Sequence, residues 1–117
     1  MPHQIFIDGA AGTTGLEIAD RLAGRDEFAL ITLADADRKD AGKRREAMDS
    51  ADFVILCLPD DAARDAAAMV TSPHTRIIDA SSAHRTADGW TYGFPELSAQ
   101  QRRAIASAAR VSNPGCY

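Results

Sequence analysis

The chain has 117 residues, 45% of them hydrophobic and 26% charged, with a formal net charge of −4. That length fits one domain able to bury a core without disulfides or metal, and the acidic balance argues against a general nucleic-acid binder, which carries a basic face. No apolar run approaches the roughly 20 residues of a membrane span, and "MPHQIFIDG" is not a signal peptide, so a cytoplasmic protein without a membrane partner is expected.

Ile5-Phe6-Ile7 is a short apolar run ending at Asp8-Gly9, which predicts a buried strand. In "GTTGLEIADRLAGRDE", Leu16, Ala19, Leu22 and Ala23 recur at helical spacing. Thr14 with Glu17 matches a capping box, and Gly24 offers a C-terminal stop. Phe28 to Leu33 reads as a second strand, and the charged stretch from Arg38 to Met48 as an exposed helix. Phe53 to Leu58 is apolar on both faces, as in a parallel strand covered by helices.

Asp60 to Val70 is an Ala-rich helix with acidic residues in its first turn, where the helix dipole favours them. "RIIDAS" supplies a fourth strand, and Ser98 with Gln101 is a second capping box, opening a helix that runs to Ala109. Arg110 to Ser112 is a last strand. Strands alternating with helices from end to end imply right-handed crossovers. The expected fold is α/β: a Rossmann-like, doubly wound, mostly parallel sheet with helices on both faces.

Ligands of such sheets bind beyond the carboxyl ends of the strands. The residues at that rim are Asp8-Gly9, Ala34-Asp35, Pro59-Asp60, Ala80-Ser81-Ser82 and Asn113-Pro114-Gly115-Cys116. "GAAGTTG" lies between a strand and a helix, where a dinucleotide fingerprint belongs. Gly9 can make the tight turn, Gly12 can let the backbone approach a pyrophosphate, and Gly15 can let the helix pack on the strand. Thr13 and Thr14 add hydroxyl donors, and the helix N-terminus adds amides and positive dipole. The spacing is G-x-x-G-x-x-G, with Ala10 in place of the first glycine of the usual G-x-G-x-x-G.

Asp35 is placed to hold the free ribose hydroxyl of NAD. Against it stand Arg38 and Lys39, just past the second strand, where the 2′-phosphate of NADP would lie. "RKDAGKRR" carries five basic residues and one acidic one, so NADP(H) is favoured. Lys43, Arg44 and Arg45 read as a solvated helix face.

Cys57 and Cys116 make neither a disulfide scaffold nor a zinc motif, and no metal site is expected. Cys57, inside an apolar strand, reads as a small buried hydrophobe. Cys116 follows a turn at the ligand rim and is the candidate nucleophile. His84 could serve it as a base, although an isolated loop histidine reads first as solvated. Arg85 suits an anionic substrate group, and Asn113 is a further candidate substrate contact.

"FIDGAAGTTGLEI", "CLPDDAAR", "DASSAHR", "YGFPEL" and above all "NPGCY" together resemble the N-acetyl-gamma-glutamyl-phosphate reductases of arginine biosynthesis, especially their shorter type. The resemblance covers the whole chain; aspartate-semialdehyde dehydrogenase, of the same architecture and chemistry, is the alternative. It implies that the Cys116 thiolate attacks the acyl phosphate of N-acetylglutamyl 5-phosphate and expels phosphate. NADPH would then reduce the thioester to N-acetylglutamate 5-semialdehyde. Gly9, Gly12 and Gly15 match the family's nucleotide loop, while Leu58, Pro59, Asp60, Ser81 and Ser82 would border cofactor and substrate.

The resemblance further implies that residues 1–117 are the nucleotide-binding portion of a homo-oligomeric parent. A catalytic and dimerisation domain with the acid/base histidine would follow it. This chain alone is expected to bind NADP(H) without turnover. A fragment that binds nothing and self-associates through an uncovered apolar surface is the competing expectation.

Overall fold

The computed structural model describes residues 2–9, 12–85 and 87–113. Six strands make one sheet: β1 (His3–Asp8), β2 (Phe28–Ile31), β3 (Phe53–Leu56), β4 (Arg76–Asp79), β5 (Thr91–Tyr92) and β6 (Arg110–Ser112). Their order is β2-β1-β3-β4-β6-β5, and every neighbouring pair runs parallel. Four helices, α1 (Thr13–Leu22), α2 (Ala41–Ser50), α3 (Asp60–Met69) and α4 (Ala99–Ser107), connect them.

Alternation along the strands divides the apolar residues between two faces. Phe6, Val54, Leu56 and Ile77 join Ala47, Met48 and Ala51 of the α2 segment and Ala63, Ala66 and Ala67 of α3 in one core cluster. The alanines of α3 recur at helical spacing, and their small side chains let its backbone lie close to the sheet. Met48, Leu56 and Ile77 are among the largest fully buried side chains. Each contributes about 1.5–3 kcal/mol of burial. Arg76 fixes the end of α4: Nε donates to the Ala108 carbonyl at 2.8 Å and Nη2 to that of Ala106 at 2.8 Å. A cation there satisfies carbonyls that the last turn leaves free.

Several expected boundaries move. The Thr14–Glu17 capping box does not form: α1 already starts at Thr13, with Gly12 at the N-cap and no side-chain cap bond. The Gly12 amide donates to the Gly9 carbonyl at 3.0 Å, and that turn delivers the chain into the helix before Thr14 can cap it. Glu17 accepts instead from Arg21 Nη2 at 3.2 Å. The second box forms by half: Ser98 Oγ accepts from the Gln101 amide at 3.0 Å, while the Gln101 side chain donates to the Tyr92 carbonyl.

The expected helix from Arg38 begins only at Ala41, capped by Asp40, whose Oδ1 accepts from the Lys43 amide at 3.0 Å. Arg38 and Lys39 therefore stand in the connection after β2. The edge strand β5 was not expected, since two residues are too short to carry an alternation. Among the described residues no helix is long and apolar enough to cross a membrane.

From β1 the chain steps to β2 on one side, and β3 then adds on the other. The crevice opened by that reversal lies beyond Asp8 and Leu56, where ligands of open α/β sheets bind.

Candidate functional site

Gly9 has φ +87°, a conformation that only glycine adopts freely. A Cβ built on it would stand 2.3 Å from the Cys57 carbonyl oxygen, so the turn also lies tight against the exit of β3. Gly15 is buried in the first turn of α1, whereas Gly12, Thr13 and Thr14 are exposed at its mouth. No side chain caps this N-terminus, which leaves its amide donors to an anion. Ala10 and Ala11 lie outside the described residues.

A cleft of about 410 Å³ adjoins this turn. Leu30, Leu33 and Leu58 give it apolar walls, and Arg38, Lys39 and Arg44 give it three cations, with Asp8 and Gly9 at its base. Asp35 does not line it. The Asp35 carboxylate instead meets Arg38 Nη2 at 2.5 Å and is otherwise 89% exposed, so the two rival ribose-side candidates hold each other. Lys39 has no ion pair among the described residues.

Arg44 is not solvated, contrary to its expected place on an open helix face. Its Nη2 lies 2.6 Å from Oδ2 of Asp8, with side-chain exposures of 19% and 7%. A buried carboxylate at the end of β1 requires a cation, and α2 supplies it. The available signal was Asp8 itself, an acidic residue closing an apolar strand. Lys43 and Arg45 are exposed as expected.

The other half of the rim is organised by Asp79, the last residue of β4, which has no solvent exposure. Its Oδ1 accepts from the Ser81 amide at 2.9 Å, and its Oδ2 from Ser81 Oγ at 2.9 Å. His84 also joins it, with Nδ1 2.5 Å from Oδ2 and the ring stacked on Trp90 at 4.0 Å. The expectation of a solvated His84 is thus overturned: a buried carboxylate and an aromatic face enclose it.

Ser82 donates from its amide to Asp60 Oδ1 at 3.0 Å and from its hydroxyl to Oδ2 at 2.5 Å. The hydroxyl bond, more than any other cause, holds the Asp60 carboxyl below the usual carboxylate range. Pro59 precedes α3 at its N-cap. The Asn113 amide donates to the Asp79 carbonyl at 2.8 Å, tying the exit of β6 to that of β4. Arg85 follows His84 half-buried, its Nε without a hydrogen-bond partner, and Ser112 is fully buried with its Oγ equally unpartnered.

The fold therefore brings Gly9, Arg38, Lys39 and Leu58 to one cleft, which Ala19 of α1 also lines, whereas Gly12, Thr13, Thr14 and Gly15 do not line it. Pro59, Ser81, Ser82, Arg85 and Asn113 do not line that cleft, and cluster along the exits of β3, β4 and β6. Cys116 lies outside the described residues. Cys57 is half-buried, and its thiol is pushed up to about 11, chiefly by burial and further by the charges of Asp79 and Asp8. It stays protonated and inert at neutral pH. Among the described residues no cluster of His, Cys, Asp and Glu could hold a metal ion.

The family model for the semialdehyde dehydrogenase NAD-binding domain matches residues 41–107. N-acetyl-gamma-glutamyl-phosphate reductase 2 of Pseudomonas putida is 60% identical over 113 residues, which are 97% of this chain and 36% of that protein. The Nostoc reductase of the same name is 57% identical over 114 residues, 97% of this chain and 35% of that protein. The chain thus spans about a third of the length of the curated relatives it matches. Among solved structures, aspartate semialdehyde dehydrogenase from Francisella tularensis superposes with a TM-score of 0.69 at 15% identity, covering 98% of this chain and 36% of that one. Aspartate semialdehyde dehydrogenase II from Vibrio cholerae gives 0.65 at 16% identity, covering 99% of this chain and 42% of that one. These two likenesses establish the fold.

Proposed function

Since the chain belongs to the family of semialdehyde dehydrogenase NAD-binding domains, with a nicotinamide dinucleotide as cofactor, we propose that it is the NADPH-binding part of an N-acetyl-gamma-glutamyl-phosphate reductase. The likeness to the reductases is far higher in sequence than the likeness to the aspartate enzymes, and favours the acetylglutamyl substrate over the aspartyl one.

The residues fit the cofactor. Gly9 turns the chain with no side chain in the way, α1 presents uncapped amides, and the neighbouring cleft has apolar walls for a base. Gly12, Thr13, Thr14 and Gly15 would hold the pyrophosphate side, with Leu58, Pro59, Ser81 and Ser82 along the way to the nicotinamide. The observation that carries NADP over NAD is the charge of the cleft. Arg38, Lys39 and Arg44 face it against the single carboxylate of Asp8, while Asp35 stays outside, paired to Arg38. A 2′-phosphate gains from such a cluster, and a free ribose hydroxyl does not.

Cys116 is the nucleophile of this reading. Its thiolate forms the C–S bond to the acyl carbon as the bond to the phosphate oxygen breaks, leaving a thioester and free phosphate. Reduced nicotinamide, when bound, would supply a hydride to the thioester carbon, and the C–S bond would then break, releasing the aldehyde and returning Cys116 as its thiolate. Arg85 holds an anionic group of the substrate, and Asn113, at the exit of β6, is a further substrate contact.

Fluorescence titration of this chain with NADPH and NADH tests the reading. Saturable binding with NADPH the tighter ligand is expected. Binding of neither nucleotide, or a preference for NADH, overturns it.

A further inference from the structure

Asp8 is 6% exposed and stands one residue before Gly9, at the floor of the cofactor cleft. The Arg44 guanidinium spends one nitrogen on it, Nη2 at 2.6 Å from Oδ2. Its Nε is buried without a partner, and no other hydrogen bond of this guanidinium occurs among the described residues. A guanidinium carries five donors in a rigid fork, so besides the buried Nε three N–H groups, on Nη1 and Nη2, stay unspent beside a cleft that Arg38 and Lys39 also border.

We propose that Arg44 is a specificity-determining residue for the cofactor: one edge neutralises Asp8, and the rest of the fork takes the 2′-phosphate of the bound dinucleotide. The inference rests on the reading of this cleft as an NADPH site, and deepens it. Two physical reasons set Arg44 apart from its neighbours. Arg38 is engaged with Asp35 in an exposed pair, which holds a side chain weakly, whereas Arg44 is held by a buried carboxylate and loses little further freedom on binding. Asp8 would also repel any phosphate entering the cleft if its charge were left alone, so the same cation removes a repulsion and adds an attraction.

The test titrates this chain and its R44M, D8N and D8N/R44M variants with NADPH and NADH. In the wild type NADPH should bind about tenfold or more tighter, the value of one charge-assisted bond. R44M exposes both ligands to an uncompensated Asp8 and weakens both. D8N/R44M removes that charge and should return NADH to its wild-type affinity while NADPH stays weakened by about tenfold. D8N alone should keep the NADPH preference.

Should the double variant regain the wild-type NADPH preference, Arg44 only compensates Asp8, and the proposal fails while the NADPH reading stands. Wild-type chain that binds neither nucleotide, or shows no preference, removes the reading and the proposal together. If R44M does not fold because Asp8 is left buried and unpaired, D8N/R44M still decides, since it leaves no charge unpaired.

Discussion

His84 Nδ1 lies 2.5 Å from Oδ2 of Asp79, and through that carboxylate the loop after β4 is held to the end of the strand. Ser81 binds both carboxylate oxygens, and the Asn113 amide binds the Asp79 carbonyl. Removing one partner of such a buried, hydrogen-bonded group leaves the others unsatisfied. Asp79→Ala should lower the unfolding free energy by about 3 kcal/mol, and Asp79→Asn by less, since an amide oxygen still accepts. Urea unfolding measures both, and a wild-type midpoint for Asp79→Ala would show that the carboxylate organises nothing. The emission of Trp90, the single tryptophan, should change with its histidine partner displaced.

Gly9 and Gly12 should respond differently to the same added methyl. At Gly9 a Cβ meets the Cys57 backbone at 2.3 Å on a residue with φ +87°, so Gly9→Ala should cost about 3 kcal/mol of stability from strain and overpacking together. At Gly12 the nearest atom to a Cβ is the Gly9 carbonyl oxygen at 3.5 Å, an ordinary contact. Gly12→Ala should unfold like the wild type and, on the proposed reading, bind NADPH about tenfold more weakly, because the methyl would rise where the pyrophosphate is proposed to lie. Thermal melts with and without nucleotide separate the two effects.

Cys57 should be a poor nucleophile at neutral pH. In a Cys116→Ser background it is the only thiol, and its alkylation rate should climb only as pH rises from 9.0 toward about 11. The sign of the linked stability follows: the folded thiol holds its proton more tightly than the unfolded one. Its contribution is complete below pH 9.0 and is lost as pH rises through about 11. A rate profile with a midpoint at the ordinary thiol value would contradict the burial of this side chain.

Two carboxylates set part of the acid limb. Asp49 and Asp60 are both held below the usual 3.8, first of all by the hydroxyls of Thr71 and Ser82 respectively. Their stabilisation is present above that value and disappears as pH falls through the lower folded one. A Thr71→Ala/Ser82→Ala double variant should therefore melt below the wild type at neutral pH. The gap should close in acid well below pH 3.8. A gap that persists there would assign the loss to packing instead of charge.

Asp35 and Arg38 can be set against each other directly. Asp35→Ala frees the guanidinium now held at 2.5 Å and should tighten NADPH binding or leave it unchanged. Arg38→Ala and Lys39→Ala should each weaken NADPH by about threefold to tenfold and spare NADH, as exposed phosphate contacts do. Parallel titrations with both nucleotides check the pattern. Weaker NADH binding in Asp35→Ala would return Asp35 to the ribose.

The order of strands and helices, the glycine turn after β1 and the Ser98 cap are written in short stretches of chain, because apolar run length, glycine and capping side chains act locally. The placement of Arg38 and Lys39 just past β2 was legible for the same reason, whereas Cys57, expected as a buried hydrophobe within the third strand, stands one residue past β3 and is only half-buried. Tertiary structure decided the rest. Thr14 lost its capping role because the Gly9–Gly12 turn had already started the helix. Edge strand β5 exists because β6 offers it a partner, and its two residues carry no pattern of their own. The basic run on α2 looks uniformly solvated in sequence, yet Arg44 turns inward because the packing of α2 brings it to a carboxylate 36 residues away. His84 became a buried partner only because Asp79 ends its strand beneath it with no access to water. Local chemistry specifies which elements form, but the depth of a side chain, and hence whether its charge must find a partner, depends on what the distant parts of the chain lay over it.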